Sequence, residues 1–287
     1  MRVVDAHQHF WVSDAQEQPW RTDAHGALER DFSPQDLDAE LDAAGVDATV
    51  LMQSVDEPAE NDRLVAYARH DRVAGVVSWL PLHDTAVARA ELDRVTIDKH
   101  CGVRCLIGRD PLEWLTEPPA LDLLRTIAAR SLVWDVVPVT AEQTRQVTAL
   151  ARAVPALQIV VDHLGRPPVD ELGWEPWASH VAELARCPNV AIKVSVGIDA
   201  LTAWTSWSAP HLARYVGHVI EQFGPQRILV ASNWPVVLLR ASYAEAWNDL
   251  RGLVAAHVGE GEALSAAMGG SAVRWYGLER VGTGVGR

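Results

Sequence analysis

Hydrophobic residues fall in eight short runs along the chain: Val3 to Ala6, Ala48 to Gln53, Val73 to Leu80, Gly102 to Ile107, Leu132 to Val137, Leu157 to Val161, Val190 to Val194 and Arg227 to Ala231. Most are continuously apolar rather than alternating, the pattern of parallel strands covered on both faces. Helix-length segments separate them. Ser33-Pro34 reads as an N-cap and first helical residue, and Gly45 sits where a left-handed C-terminal residue is wanted. Pro118-Pro119 opens a helix running to about Arg130, and Ala141 to Ala153 and His211 to Phe223 repeat every 3.6 residues. Gly224-Pro225 ends the last of these.

Eight strands alternating with helices predict a closed (β/α)8 TIM barrel, an α/β fold in a single domain over residues 1–280. The length of 287 residues suits one such unit. A doubly wound open sheet is the rival, but no Gly-rich phosphate turn follows the first strand. That turn reads Asp5-Ala6-His7-Gln8-His9-Phe10-Trp11. The tail, Val281 to Arg287, is expected to be a flexible terminus.

Composition narrows the partners. A net charge of -13 argues against nucleic acid and against an anionic membrane surface, which both need clustered Lys and Arg. No apolar stretch approaches the ~20 residues of a membrane span. No signal-like N-terminus is visible, and Cys101, Cys105 and Cys187 form no metal or redox spacing. These features lead us to expect a cytoplasmic protein with free thiols that acts on a small molecule. Oligomeric state has no sequence signature.

In a barrel, functional groups come from the C-terminal ends of the strands. Read there, strand 1 offers His7 and His9, strand 2 Gln53, strand 3 Trp79, and strand 4 Arg104 and Arg109. Strand 5 carries Asp135, strand 6 Asp162-His163, strand 7 Lys193 and strand 8 Asn233. His7 and His9, two apart, share a face of the strand. Such a pair can hold a divalent metal or contact a substrate carbonyl; the bland alternative is two satisfied core imidazoles. His163, before Leu164-Gly165-Arg166-Pro167, can supply a third imidazole, and Arg166 can bind substrate or brace the loop. Arg104 and Lys193 stand in apolar strands, so each needs a carboxylate such as Asp135 or a ligand. Trp is unusually frequent, at twelve against three Phe and four Tyr. Trp11, Trp20, Trp79 and Trp234 flank the candidate site, where they could stack on a sugar-like ring. Trp174, Trp177, Trp204 and Trp207 read as packing.

Four segments then resemble one family: Asp5 to Trp11, Asp162-His163-Leu164-Gly165-Arg166-Pro167, Ser232-Asn233-Trp234-Pro235-Val236, and Gly269-Gly270-Ser271-Ala272-Val273-Arg274-Trp275-Tyr276-Gly277-Leu278. They look like the landmarks of the amidohydrolase-related (amidohydrolase 2) family, most of all its sugar-lactonase branch. The resemblance implies a hydrolase that opens a sugar-acid lactone by attack of water. It suggests His7, His9 and His163 as the clamp on the carbonyl, directly or through a metal such as zinc. Metal-independent catalysis is equally compatible. Orientation would fall to Trp11, Gln53, Trp79, Arg104, Arg109, Lys193 and Trp234.

The departure is at strand 8. Similar enzymes read Ser-Asp-Trp-Pro there, with the Asp as base; here the residue is Asn233, whose amide cannot take a proton near neutral pH. The chain is then an inactive Asp-to-Asn variant, a member using another base such as His163, or a non-catalytic ligand-binding descendant. A decarboxylase or other C–C lyase is the further alternative, since related barrels use similar sites.

Overall fold

The structure is a computed structural model that describes residues 2–278. Eight parallel strands lie in sequence order: β1 Val4–Gln8, β2 Ala48–Met52, β3 Val73–Trp79, β4 His100–Arg104, β5 Val133–Val136, β6 Ile159–Val161, β7 Val190–Val194 and β8 Ile228–Val230. The helices are α1 Pro34–Ala44, α2 Pro58–Tyr67, α3 Thr85–Arg94, α4 Pro118–Ala129, α5 Ala141–Ala153, α6 Trp177–Ala185, α7 Ile198–Ala203, α8 Ala209–Phe223 and α9 Tyr243–Val258. Two short ones follow, α10 Glu262–Ser265 and α11 Ser271–Tyr276. The expected eightfold alternation is present, and the strand bounds differ from the expected ones by a few residues at most. Ser33 caps α1 as predicted, accepting from the Asp36 amide, and Gly45 ends it at φ 66°.

The ring closes at a narrow seam. Gln8 bridges Trp234, the Asn233 amide donates to the His7 carbonyl at 2.9 Å, and the His9 amide donates to the Trp234 carbonyl at 2.8 Å. Beneath, buried Asp5 accepts from the Ser232 amide at 2.9 Å and from the Ser232 hydroxyl at 2.6 Å. The Tyr243 hydroxyl also donates to Asp5, at 3.1 Å.

Strand alternation divides the core. Outward positions such as Trp134, Ile159, Ile192 and Val230 join the large apolar layer beneath the helices. Inward ones such as Val4, Ala48, Val133, Val160, Ala191 and Leu229 form a second, smaller cluster with Trp275, Tyr276 and Leu278. The C-terminal segment thus plugs the barrel's lower end. Gly269 is required there, because a Cβ would lie 2.0 Å from the Arg2 carbonyl oxygen. The expected tail, Val281 to Arg287, lies outside the described residues. Among the described residues no helix is long and apolar enough to cross a membrane.

Candidate active site

Continuing each inward register past the apolar layer gives a charged one: Asp135 on β5, Asp162 after β6, Lys193 on β7 and Arg104 on β4. The Lys193 Nζ lies 2.6 Å from Asp135 Oδ1 and 2.9 Å from Asp162 Oδ1, and Arg104 Nε lies 3.1 Å from Asp162 Oδ2. Two cations and two carboxylates balance in a space that excludes water. Burial alone would raise the Asp162 carboxyl, but Lys193, His7 and Arg104 outweigh it and hold it well below the usual range. Burial raises Asp135 despite Lys193.

His7 and His9 sit above this layer and do share a face, although β1 shifts register between Asp5 and Gln8. Their Nε2 atoms are 3.1 Å apart. His9 Nδ1 lies 3.1 Å from the Met52 carbonyl oxygen, which accepts only from an N–H, so His9 Nε2 is bare. His7 Nδ1 has Lys193 Nζ at 3.2 Å and Asp162 Oδ1 at 3.3 Å. If Lys193 donates to Nδ1, His7 carries its proton on Nε2 and gives it to His9. If Nδ1–H faces Asp162, two bare Nε2 atoms converge. Neither placement leaves an N–H of His7 or His9 for a substrate carbonyl, so of the two expected forms of the clamp, direct or through a metal, these contacts suit the second. Burial pushes His9 down to about 3, with Arg104 adding to the effect. Burial, then the Lys193 charge, holds His7 well below the imidazole range.

The donor set fits a divalent metal. Converging Nε2 atoms are what zinc takes from imidazoles. In addition, His7, Asp162 and His163 each offer one ligand atom within 4.8 Å of the others.

Over the strands opens a cavity of about 610 Å³, its floor made by His9, Arg104, His163, Arg166 and Asn233. The backbone of the turn after β6 is unusual. His163, Leu164, Gly165 and Arg166 all have positive φ, 54°, 53°, 67° and 52°. A left-handed run costs non-glycine residues roughly 1–2 kcal/mol each, so tertiary contacts must hold it. It brings His163 and Arg166 to one cavity while Asp162 points into the barrel. His163 Nδ1 lies 2.9 Å from the buried Ser195 hydroxyl, and Arg166 pairs with Asp199 at 2.8 Å. Burial is the chief reason His163 is held neutral, and Arg104 and Arg166 add to it. Asn233 takes the left-handed conformation (φ 58°) that Asn tolerates, and its Nδ2 donates to the Val196 carbonyl at 2.8 Å. A carboxylate could not make that bond.

The remaining predicted residues divide. Gln53 and Lys193 are fully buried behind the cavity wall; Gln53 Oε1 accepts from Arg104 Nη1 at 3.0 Å and its Nε2 donates to Asp56 at 2.7 Å. Both are engaged with neighbouring side chains, and neither lines the cavity. Trp11 and Trp234 pack with Phe32, and Phe10 meets Trp234, all away from the cavity. Trp79 is buried, and its backbone N–H and carbonyl are held by Asn61. Arg109 is exposed on the loop after β4 and does not line the cavity.

Of the four tryptophans expected to flank the site, Trp20 is the one that lines the cavity, and it is joined by His25, Thr22, Ser54 and Thr202, which sequence reasoning did not select. All but Ser54 and Thr202 come from the long connection between β1 and α1, whose course no periodicity reveals. Its donors are spoken for. Trp20 Nε1 donates to the Ser54 carbonyl at 3.2 Å, the Ser54 hydroxyl to Glu60 at 2.9 Å, and the Thr202 hydroxyl to the Ile198 carbonyl at 2.7 Å. His25 Nδ1 accepts from the Thr22 amide at 3.0 Å, so its Nε2–H reaches Thr202 at 2.8 Å. The cavity thus pairs a polar floor with a wall of largely satisfied groups, completed by Leu106, Ile107, Val137, Ile198 and Val236.

A parallel barrel with imidazoles, a balanced buried charge cluster and a mouth cavity defines the class of barrel hydrolases that share this scaffold. The profile of the amidohydrolase family (Amidohydro_2) matches residues 4–278, and the chain belongs to that family. It is 32% identical to an L-fucono-1,5-lactonase of Burkholderia ambifaria, covering 96% of each chain. It is 30% identical to an L-fucono-1,5-lactonase of Burkholderia multivorans, again covering 96% of each. Among solved structures, an amidohydrolase from Burkholderia multivorans with bound zinc superposes with a TM-score of 0.86 at 28% identity, covering 96% of this chain and 99% of that one.

Proposed function

We propose that this protein hydrolyses the lactone of a small sugar acid, with His163 as general base in place of the missing carboxylate. The observation that carries the reading is the His163–Ser195 contact at 2.9 Å on the cavity floor. With Nδ1–H donated to the hydroxyl, the lone pair on Nε2 is left as a proton acceptor on the cavity floor. Two relatives that carry the name L-fucono-1,5-lactonase support the substrate class.

Asn233 lies beside His163 on the cavity floor, and its amide oxygen can orient a water but cannot deprotonate it. The water oxygen attacks the ester carbonyl carbon as His163 takes its proton. Negative charge gathers on the carbonyl oxygen, where the Arg104 guanidinium, fixed by Asp162 and Gln53, stabilises it with Arg166 nearby. The ring C–O bond then breaks, and the proton passes from His163 to the departing alkoxide, giving the open hydroxy acid. With its Nδ1–H turned to Asp162, His7 would hold zinc together with His9 through Nε2, leaving the Nε2 of His163 for the water; when bound, the metal supplies Lewis acidity toward the carbonyl oxygen. The apolar wall suits the ring carbons turned away from the floor.

The test is a proton-release assay across sugar-acid lactones, starting with L-fucono-1,5-lactone, with carbon dioxide detection in parallel. Lactone opening by the unaltered chain is expected, and His163→Gln should lose 10²–10⁴-fold in kcat, on the order of what a general base contributes. Carbon dioxide release would favour the decarboxylase reading. Activity confined to Asn233→Asp would identify Asn233 as the disabling change, and no lactone opened by either form would end the lactonase reading.

A further inference from the structure

The C-terminal motif Gly269 to Leu278 lines no part of the cavity, yet one of its side chains reaches toward the site from below. Tyr276, on α11, is buried among the apolar residues of the lower barrel, and its hydroxyl donates to Asp135 Oδ1 at 2.6 Å. The same oxygen accepts from Lys193 at 2.6 Å, while Asp135 Oδ2 has no hydrogen-bond donor among the described residues. From Lys193 the contacts continue to Asp162 Oδ1 at 2.9 Å and to His7 Nδ1 at 3.2 Å. Three short links therefore join a phenol at the closed end of the barrel to the first imidazole of the site.

We propose that Tyr276 is a positioning residue for the active site, holding Asp135 so that the Lys193 ammonium stands between Asp135 and Asp162 and Asp162 Oδ1 stays 3.3 Å from His7 Nδ1. An ammonium has three N–H bonds to distribute. With the phenol in place, Asp135 is fixed by two donors on Oδ1 and cannot turn Oδ2 toward Lys193. Without it, the carboxylate rotates, engages Lys193 through both oxygens and draws the ammonium away from Asp162 and His7. Filling space does not explain the hydroxyl, since a Phe ring would occupy the same cluster and keep the 5.5 Å approach of the Lys193 nitrogen to the ring. A hydroxyl in such surroundings is a cost unless bonded, and Asp135 is its partner.

The experiment uses the full chain and compares Tyr276→Phe and Asp135→Asn with the unaltered protein. The ring nitrogens of the histidines are read by long-range proton–nitrogen NMR, beside thermal unfolding and kcat and KM for L-fucono-1,5-lactone. In Tyr276→Phe the His7 signals should move while those of His25 and His100, which lie outside the chain of contacts, stay in place. The kcat should fall about tenfold, the lower range for loss of an outer-shell partner, with KM within about twofold. Unmoved His7 signals overturn the proposal, as do changes spread equally over all three rings. If Tyr276→Phe fails to fold, Asp135→Asn carries the same test, and unmoved His7 signals there overturn it too. The kinetic arm rests on the lactonase reading; the NMR arm does not, so a protein that opens no lactone still decides this proposal.

Discussion

The inner wall of the barrel has two layers built by the same strands, and they obey opposite rules. Near the strand starts, Val4, Ala48, Val133, Val160 and Ala191 fill the interior with small apolar side chains. Two residues further along, β5 and β7 change to Asp135 and Lys193. The lower layer excludes water by packing, and each member can be exchanged for another of similar volume. In the upper layer each charge is tolerated only because a named opposite charge lies within about 3 Å. Stability is therefore distributed in the lower layer and conditional in the upper one.

Lys193→Met breaks that contrast most severely. It leaves Asp135 and Asp162 facing each other without their shared cation, and should destabilise the fold by about 3–5 kcal/mol, read as a lower denaturant midpoint. Activity should fall with it. A stability loss below about 1 kcal/mol would mean that the upper layer is no more conditional than the lower. Leu229→Ala, in the lower layer, should cost about 2–5 kcal/mol by opening a cavity while leaving kcat nearly unchanged. A kcat loss larger than tenfold would erase the division of labour.

A smaller effect is expected from acid. Burial pushes His100 down to about 4, against about 6.5 in the unfolded chain. Between those values the unfolded chain binds a proton that the folded chain refuses. Stability is therefore complete above about pH 6.5 and is lost as pH falls toward 4, at roughly 1.4 kcal/mol per pH unit for this group. His100→Gln should flatten the slope of unfolding free energy against pH by about one proton in that window; an unchanged slope would exclude His100 as a contributor. The least effect belongs to Arg109→Ala. That exposed side chain should matter by less than about 0.5 kcal/mol and leave KM unchanged. A raised KM would return Arg109 to the substrate site.

Strand positions and the charged residues at their ends were legible because both follow from local pattern. Parallel strands write themselves as apolar runs, and a Lys or Arg inside such a run must have a partner or a ligand. Which of the two was not legible. Arg104 does both, pairing with Asp162 and lining the cavity, whereas Lys193 is buried against Asp135, Asp162 and His7 and lines no part of it. The tryptophans misled for a related reason. Trp11 and Trp234 stand beside site residues in sequence, but alternation and the bends of the loops turn them into the core beside Phe32. Trp20 and His25 lie in a connection without periodicity, and only the folded chain brings them to Ser54 and Thr202. Tyr276 lies 141 positions from Asp135, beyond any local signal.

The seam between β1 and the segment after β8 also has a consequence for how the molecule is made. Asp5 and Ser232, 227 positions apart, meet there, and the Asn233 amide binds the carbonyl of His7 itself. A nascent chain can pair its first strands early, but its ring is open and its cavity floor incomplete until Asn233 and Trp234 have been added. Polypeptides cut short before that point hold His7 and His9 and yet lack the backbone hydrogen bonds that fix the carbonyl of the one and the amide of the other. Closure of the ring is thus left to the last strand and the residues just after it.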